Sequence, residues 1–563
     1  MKIRTAPLEW LGVPSRTARR FQIAGLFLLI MLLLGFGIQQ AGLAGVFSDP
    51  VSGARAQDET TYAASAVGLA TGSEWLTPKV LGRFYLVKPP LLIWLSGLSM
   101  RMLGISRFAL RFPVLLAGTL ATLFLFLWCE RRYTRWIGAA VVLLAIGNPV
   151  WHTFSRICYT DMLLALAMTG ALWTFDRDPD LLRPLSIFLF GGFMALGLMA
   201  KNVAGLLPLG VVLLTGLLTR KRPPMASLAR SCALAALLVA PWHLYQVVSH
   251  PQWFWTDYVK IQLLEFGLKP PGQASADGPV WFYLKRLVLT DPLLALASAA
   301  ALPGLVGAVR AGKREAALLL SWILVAAGAL LVFQYRNLPY LLYLIPPLCV
   351  VTAVYALARF ARQPKAAVAM LALVFCIKVA GGSQVWGLTF GSAAPVSSAK
   401  WFRWYAELKR PNELIAVNSD DEFYATALPI GKIRYCYLDP GQLARRYAPD
   451  YAFLGITVST AQFEDLGRWE PEFRQRLLGW GLRSGAPIAT NIMASSIDDI
   501  VRLVETHPHS DFYLESNIAA QIPAETSAAR RIVRLSRDRC FVLAPDEQEP
   551  TTLRARWRMP EDW

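Results

Sequence analysis

Long apolar runs separated by short basic loops fill the first two thirds of the chain. Runs close to the length that crosses a bilayer recur from Phe21 to about Val379. Dense basic loops, such as Glu130–Arg135 and Arg220–Pro224, alternate with loops that hold isolated charges. The alternation predicts a polytopic α-helical membrane protein of about eleven to thirteen transmembrane helices, with its N-terminus in the cytoplasm.

The apolar pattern also locates the individual spans. The predicted spans are 23–38, 108–128, 137–154, 162–175, 185–200, 203–218, 228–241, 287–309, 316–333, 341–357 and 366–379. The first run could be a signal peptide, but its long basic flank favours an uncleaved helix. The run 90–103 is short and carries Arg101, which predicts a helix on the outer surface. Residues 242–286 are predicted to form an aromatic-rich outer loop.

The pattern changes after Gly391, where polar residues and short strand-like runs take over. Strands are predicted at 414–417, 451–456, 487–490, 511–514 and 540–543, and a helix is predicted after a capping start at Ser496. The chain is therefore divided into a transmembrane domain at 1–390, with a first external loop at 40–107, and an extracytoplasmic α/β domain at 391–563. Cys436 and Cys540 could pair in such a compartment.

Composition supports a membrane protein and argues against other classes. The 563 residues are 55% hydrophobic and 17% charged, which is too little charge for a soluble chain of this length. The net charge of +18 comes from loops that the positive-inside rule places in the cytoplasm, so no nucleic-acid partner is predicted. The seven cysteines include no CxxC motif, so no structural zinc site is expected.

A few charged residues fall on the side opposite the basic loops. They are Asp58, Lys88, Arg156, Asp161, Lys201 and Arg336. Each alone has an ordinary interpretation as a solvated acid, a snorkelling cation or a helix cap. Their shared placement favours an anion site, and two prolines after Lys88 hold that cation in place, which suits a phosphate. Asp58 could act as a general base, with Glu59 beside it. His243 could ligate a metal or make a hydrogen bond.

These residues resemble a known family. An Asp-Glu pair at Asp58, the segment Tyr85–Leu91, Asp161 and the segment Leu338–Leu342 are similar to motifs of the GT-C glycosyltransferases, notably the bacterial aminoarabinose (lipid A) transferases and protein O-mannosyltransferase-like relatives. The segment Asp277–Tyr283 resembles the long-loop motif of that family. The resemblance covers roughly residues 20–350.

The resemblance implies a function and a set of roles. It implies a bacterial inner-membrane enzyme that moves a monosaccharide from a polyprenyl-phosphate donor to a lipid, glycan or protein acceptor outside the cytoplasm. Asp58, Glu59 and Asp161 would be catalytic. Lys88, Arg156, Lys201 and Arg336 would hold the donor phosphate, and Tyr62, Tyr85, Tyr340 and Tyr343 would line the substrate site. A divalent metal ion, held by Asp161 and His243, is the candidate cofactor, and membrane lipids are further partners.

The chain departs from the family pattern at three places. Thr61 stands where relatives often have arginine, Val87 where they often have glutamate, and Asn202-Val203 where they have Gly-Pro. If that glutamate binds a metal in relatives, this chain lacks that ligand. Three alternatives stay open: a protein O-mannosyltransferase, a transporter of lipid-linked sugars, and an inactive protein that binds the carrier lipid.

Overall fold

The computed structural model describes most of the N-terminal part of the chain and a portion of the C-terminal part. The described residues are 16–35, 47–48, 55–56, 58–72, 75–80, 83–251, 254–265, 278–333, 336–356, 368–369, 371–373, 404–405, 408, 410–417, 433–438, 492–494, 496–535 and 538–545.

Helices make up almost all of the described N-terminal part. They are α1 (Arg16–Gly35), α2 (Asp58–Thr71), α3 (Leu91–Leu103), α4 (Arg107–Arg132), α5 (Arg135–Ile146), α6 (Pro149–Phe154), α7 (Thr160–Arg177), α8 (Pro184–Lys201), α9 (Leu207–Thr219), α10 (Met225–Ser249), α11 (Pro279–Thr290), α12 (Pro292–Arg310), α13 (Arg314–Val332) and α14 (Ile345–Val351). Short 3₁₀ segments lie at Asn202–Leu206 and Leu338–Tyr343, and π-helical segments at Phe254–Glu265 and Thr352–Ala356. Two short hairpins pair β1 (Phe47–Ser48) with β2 (Arg55–Ala56) and β3 (Lys79–Val80) with β4 (Arg83–Phe84).

Six stretches of the described residues are long and apolar enough to cross a membrane. They are Ala18–Gly35, Phe108–Arg132, Pro184–Thr219, Met225–Ser249, Pro292–Arg310 and Arg314–Val332, and shorter apolar helices lie at Leu91–Leu103, Arg135–Ile146 and Ile345–Tyr355. Helix α7 packs against α4 and α8 and is buried over nearly its whole length. The predicted polytopic helical class is thus confirmed, and the total of eleven to thirteen spans stays a prediction.

Several predicted boundaries were wrong, each because of a capping or proline residue. The predicted span 137–154 is two helices, since Asn148 caps α6 by accepting from the Trp151 amide at 3.0 Å. The predicted span 287–309 likewise begins anew at Asp291, which caps α12 by accepting from the Leu294 amide at 3.1 Å. Helix α10 continues through Pro241 to Ser249, although the proline was predicted to end it. Neighbouring helices in a membrane bundle make such prolines tolerable.

The first external loop and the aromatic-rich loop contain more regular structure than predicted. Asp58 and Glu59 open a helix of 14 residues, α2, and do not lie in a loop. Residues 242–286 include the end of α10, a π-helical segment and part of α11. The predicted helix at 90–103 is confirmed as α3, and its length of about 20 Å is short for a bilayer.

A six-stranded sheet forms the described C-terminal part. Its strands are β5 (Leu414–Val417), β6 (Ile433–Leu438), β7 (Ile492–Ala494), β8 (Asp511–Glu515), β9 (Arg531–Arg534) and β10 (Arg539–Leu543), in the order β7-β6-β5-β8-β10-β9. Pairs among β5 to β8 are parallel, and β10 runs antiparallel to β8 and β9. Three helices accompany it: α15 (Ile497–Thr506), α16 (Ser516–Ala519) and α17 (Ala524–Ala528).

The predicted α/β class of this part is confirmed. Strands β5, β8 and β10 match predicted runs, and the Ser496 hydroxyl caps α15 by accepting from the Asp499 amide at 3.2 Å. Strands β6, β7 and β9 were not predicted. The predicted strands at 451–456 and 487–490, and the domain boundary at 390, lie outside the described residues.

The structure contradicts a disulfide between Cys436 and Cys540. Cys436 lies on β6 opposite Val417, and Cys540 lies on β10 opposite Leu514, so β5 and β8 separate them. Three strand spacings amount to about 14 Å, whereas bridged Cα atoms lie within about 7 Å. Both thiols are free and buried.

We expect both thiols to be alkylated in full after denaturation without any reductant. Burial raises the pKa of Cys436 to about 12 and of Cys540 to about 11, so both should react slowly in the folded protein. Peptide mass spectrometry after iodoacetamide treatment, with and without prior reduction, measures this. Labelling that requires reductant would contradict the sheet order.

Candidate active site

Lys88 lies just before α3, and its ammonium contacts Tyr62 of α2. Its ammonium donates to the Tyr62 hydroxyl at 2.8 Å and lies 5.5 Å from the centre of that ring. Tyr62 is a buried residue of α2 and packs edge-on against Tyr85. Pro89 and Pro90 follow the lysine directly, and Pro90 is the N-cap residue of α3. The stiff backbone and the tyrosine together fix the position of this cation.

Asp161 and Lys201 meet where α7 begins and α8 ends. Lys201 donates to the Asp161 carboxylate, and the hydroxyl of Tyr343 donates to the same oxygen. Asp161 lies in the first turn of α7, where the helix dipole favours a negative charge. Asn202, with φ +53°, ends α8 directly after Lys201. Lys201 is therefore the cation that pairs with Asp161.

Two aromatic rings flank the Lys201 ammonium. It lies 4.0 Å from the centre of the Tyr340 ring and 5.5 Å from that of Tyr343. The two rings stack with centroids 6.2 Å apart, because the 3₁₀ turn at Leu338–Tyr343 places residues three apart above one another. Cation–π attraction therefore adds to the ion pair in holding the lysine.

Lys88 and Lys201 line the same pocket, which holds about 740 Å³ of empty space that is partly open to the surroundings. Tyr340 and Tyr343 share this lining. Its remaining wall is mainly apolar and includes Val203, Ala204, Leu207, Leu263, Leu330 and Phe333. Two cations in a mainly apolar lining suit a ligand with an anionic head and a hydrocarbon tail.

Glu59 has surroundings that differ from those of a catalytic acid or base. Both carboxylate oxygens accept from Arg111, at 2.7 and 2.9 Å, and one also accepts from the Cys158 amide at 3.0 Å. The two side chains are 0% and 1% exposed. The arginine fork and a backbone donor thus occupy both oxygens of this carboxylate.

The other predicted cations lie outside the lining of this pocket. Arg156 lies within hydrogen-bond distance of the His152 ring, at 3.0 Å, and Arg336 lies beside Tyr283. Tyr62 and Tyr85 stand behind Lys88 and not in the lining itself. Asp58 is the first residue of α2, four positions before Tyr62. Asp277 lies outside the described residues.

In the structure, both predicted metal ligands are engaged with other partners. His243 lies inside α10, where Nδ1 donates to the Val239 carbonyl at 2.8 Å and Nε2 lies 2.8 Å from the Tyr258 hydroxyl. Both ring nitrogens are therefore within hydrogen-bond distance of protein partners. The Asp161 carboxylate already binds an ammonium. Among the described residues, no three His, Cys, Asp or Glu side chains form a metal-binding group.

Sequence reasoning missed Arg111 and Gln262. Arg111 lies within the predicted span 108–128, and a charge inside an apolar span is itself a signal of a buried partner. Gln262 joins the pocket lining from the π-helical segment Phe254–Glu265, which was predicted to be loop. No local pattern in the sequence indicates that Gln262 lines the pocket.

Comparisons with known proteins agree with this architecture. A sequence profile of the family described as dolichyl-phosphate-mannose-protein mannosyltransferase matches residues 87–248. The undecaprenyl phosphate-alpha-4-amino-4-deoxy-L-arabinose arabinosyl transferase 1 of Sodalis glossinidius is 29% identical over 318 residues, which cover 53% of this chain and 54% of that protein. The transferase of the same description from Pectobacterium carotovorum is 28% identical over 314 residues, with the same coverage of 53% and 54%. The chain spans about half the length of these curated relatives.

A solved structure matches over a longer range. ArnT from Cupriavidus metallidurans bound to undecaprenyl phosphate superposes with a TM-score of 0.63 at 16% identity, over 94% of this chain and 98% of that one. Its apo structure gives a TM-score of 0.60 at 15% identity. At this identity the likeness shows the fold. The sequence matches confirm the predicted resemblance to aminoarabinose transferases and protein mannosyltransferases. The protein is a polytopic helical membrane protein with the fold of the ArnT structure and a C-terminal α/β part.

Proposed function

We propose that the protein is a membrane glycosyltransferase that moves a monosaccharide from a polyprenyl-phosphate donor to a hydroxyl of a lipid, glycan or protein acceptor. The observation that carries the proposal is the convergence of Lys88 and Lys201 on one largely apolar pocket. Two ammonium groups, one of them paired with Asp161, can donate to a phosphate, and the apolar wall suits the polyprenyl chain.

The reaction is a displacement at the anomeric carbon of the sugar. The acceptor oxygen forms a bond to that carbon, the bond from carbon to phosphate oxygen breaks, and polyprenyl phosphate leaves with the electron pair. Lys88 and Lys201 stabilise the charge that develops on the leaving phosphate, so it needs no proton. Asp58 takes the proton of the acceptor hydroxyl. Residues four apart share one face of a helix, and Tyr62, four residues after Asp58, accepts from Lys88. This spacing supports the role proposed for Asp58.

The similar proteins favour particular substrates. Curated relatives are described as arabinosyl transferases that use undecaprenyl phosphate-alpha-4-amino-4-deoxy-L-arabinose. The donor we propose is therefore undecaprenyl phosphate carrying this aminopentose, with lipid A as the first acceptor to test. The family description of residues 87–248 makes a mannosyl donor with a protein acceptor the second candidate.

The orientation follows from the charge pattern of the loops. We place the protein in the bacterial inner membrane with its N-terminus in the cytoplasm, because the dense basic loops then stay inside. The pocket and the domain at 391–563 then lie on the periplasmic side, with residues 1–390 forming the transmembrane domain. A donor that is membrane-bound on that side needs no nucleotide site.

Sugar transfer by the purified full chain tests the proposal. The assay uses a radiolabelled undecaprenyl-phosphate aminoarabinose donor, a lipid A acceptor, and Lys88→Met beside wild type. We expect wild type to transfer sugar and Lys88→Met to lose about tenfold to a hundredfold, because one of two phosphate cations is gone. Lys88→Arg, which keeps the charge, should retain more activity, and Lys221→Met in an exposed loop should equal wild type. Wild-type protein that binds undecaprenyl phosphate but transfers no sugar to any acceptor would favour a transport or carrier-binding role.

A further inference from the structure

A buried ion pair lies behind the pocket and joins three elements. Glu59 of α2 accepts from Arg111 of α4 through both oxygens, at 2.7 and 2.9 Å. The same carboxylate accepts from the amide of Cys158, in the segment between α6 and α7, at 3.0 Å. A bidentate arginine fixes orientation as well as distance, so this carboxylate sets how α2, α4 and that segment lie against one another.

Helix α2 and the segment before α7 each lead, within three residues, to a residue that contacts one of the two pocket lysines. Glu59 precedes Tyr62 by three residues, and Tyr62 accepts from Lys88. Cys158 precedes Asp161 by three residues, and Asp161 accepts from Lys201. Tyr159, next to Cys158, packs edge-on against Tyr62 with centroids 6.4 Å apart, so the two sides also touch. A shift of Glu59 against Cys158 would therefore change the separation of the two lysines.

Stability alone is a weak reason for such a pair. Burying two charges costs desolvation that their attraction barely recovers, and apolar side chains of similar size often stabilise as well or better. Glu59 and Arg111 are almost completely inaccessible, so this cost applies in full. The geometry that the pair imposes is a stronger explanation than its net energy.

We propose that Glu59 and Arg111 are positioning residues for sugar transfer, which hold the Lys88 side and the Lys201 side of the pocket at the separation that the donor phosphate requires. This inference rests on the proposed function. The pair acts through Tyr62 and the Cys158–Asp161 segment and does not itself touch the substrate.

The chain offers a matched pair of substitutions. Arg111→Lys keeps the charge beside Glu59 but loses the fork that bonds both oxygens. Arg132→Lys makes the same exchange on the same helix, in a second ion pair whose arginine Nε lies 2.9 and 2.8 Å from the two Asp176 oxygens. That control pair joins α4 to the end of α7 away from the pocket lining.

Four quantities are measured on each detergent-solubilised full chain: the thermal unfolding midpoint, the Kd for undecaprenyl phosphate, and the kcat and KM for transfer. Both substitutions should lower the midpoint. Only Arg111→Lys should also weaken carrier binding, by about tenfold, and reduce kcat/KM by about tenfold to a hundredfold, because misplacement near 1 Å has effects of that size. Arg132→Lys should keep the wild-type Kd and KM.

A double variant, Glu59→Leu with Arg111→Met, keeps the test decisive if Arg111→Lys does not fold. It leaves no unpaired buried charge, so we expect it to fold yet to remain defective in carrier binding and transfer. A folded variant at this pair with wild-type Kd and kcat/KM would overturn the positioning role while leaving the proposed function intact. Wild-type protein that neither binds undecaprenyl phosphate nor transfers sugar would overturn both.

Discussion

Lys201→Met is expected to reduce sugar transfer by about a hundredfold or more. The change removes a cation that lines the pocket, and it leaves the buried Asp161 carboxylate without its ammonium partner. The site would then have one cation fewer to neutralise the donor phosphate, and the unpaired carboxylate would repel it. Initial rates of transfer, together with the Kd for undecaprenyl phosphate, measure the loss, and we expect both binding and kcat to suffer.

Two further variants separate the electrostatic effect from misfolding. Lys201→Met combined with Asp161→Asn removes both charges, and it should recover the thermal midpoint but not the transfer rate. Lys201→Arg keeps a cation between the rings of Tyr340 and Tyr343 and should keep part of the activity. A folded Lys201→Met protein with the wild-type rate would remove this lysine from the phosphate site.

Asp58→Asn is expected to reduce transfer by about a hundredfold or more, because an amide cannot accept the proton of the acceptor hydroxyl. Asp58 opens α2, and the Tyr62 hydroxyl one turn later contacts Lys88. Since the base acts on the acceptor and not on the carrier, the variant should bind undecaprenyl phosphate as tightly as wild type. Comparing transfer with carrier binding therefore distinguishes a lost base from a lost phosphate site.

Asp180→Asn supplies the control for this exchange. Asp180 is an exposed acid between α7 and α8, so its replacement should change neither binding nor transfer. Equal transfer by wild type and Asp58→Asn would remove Asp58 from the chemistry and leave Asp161 or a residue outside the described part of the chain as the base.

Local patterns singled out two cations that line the pocket, Lys88 and Lys201, but not the contacts of the other predicted site residues. The prolines after Lys88 and the end of an apolar run at Lys201 indicated cations at the membrane face, and both lie in the pocket. Glu59 was predicted as catalytic from its neighbour in the chain, yet its oxygens are taken by Arg111 and Cys158. Adjacent residues of a helix point in different directions, so nearness to Asp58 in sequence says little about shared chemistry.

His243, a predicted metal ligand, also shows that local sequence does not reveal the contacts of a side chain. Histidine is a residue type suited to a metal. In the structure, however, Nδ1 of His243 contacts the Val239 carbonyl of the same helix, and Nε2 contacts the Tyr258 hydroxyl of the following segment. A residue type can be read from the chain, whereas the hydrogen-bond partners that decide whether its lone pairs are available come from other elements.

The sequence by itself determined the membrane class, most of the apolar helices and the α/β character of the C-terminal part, and it singled out Lys88 and Lys201 as candidate cations. These follow from apolar length, charge alternation and strand-like runs, which are properties of short stretches. Only the tertiary structure decided that Lys88 and Lys201 share a pocket, that Glu59 pairs with Arg111, and that two strands separate Cys436 from Cys540. Those facts depend on the packing of distant segments, because the contacts that bring residues 59, 111 and 158 together exist only after α2, α4 and α7 have assembled.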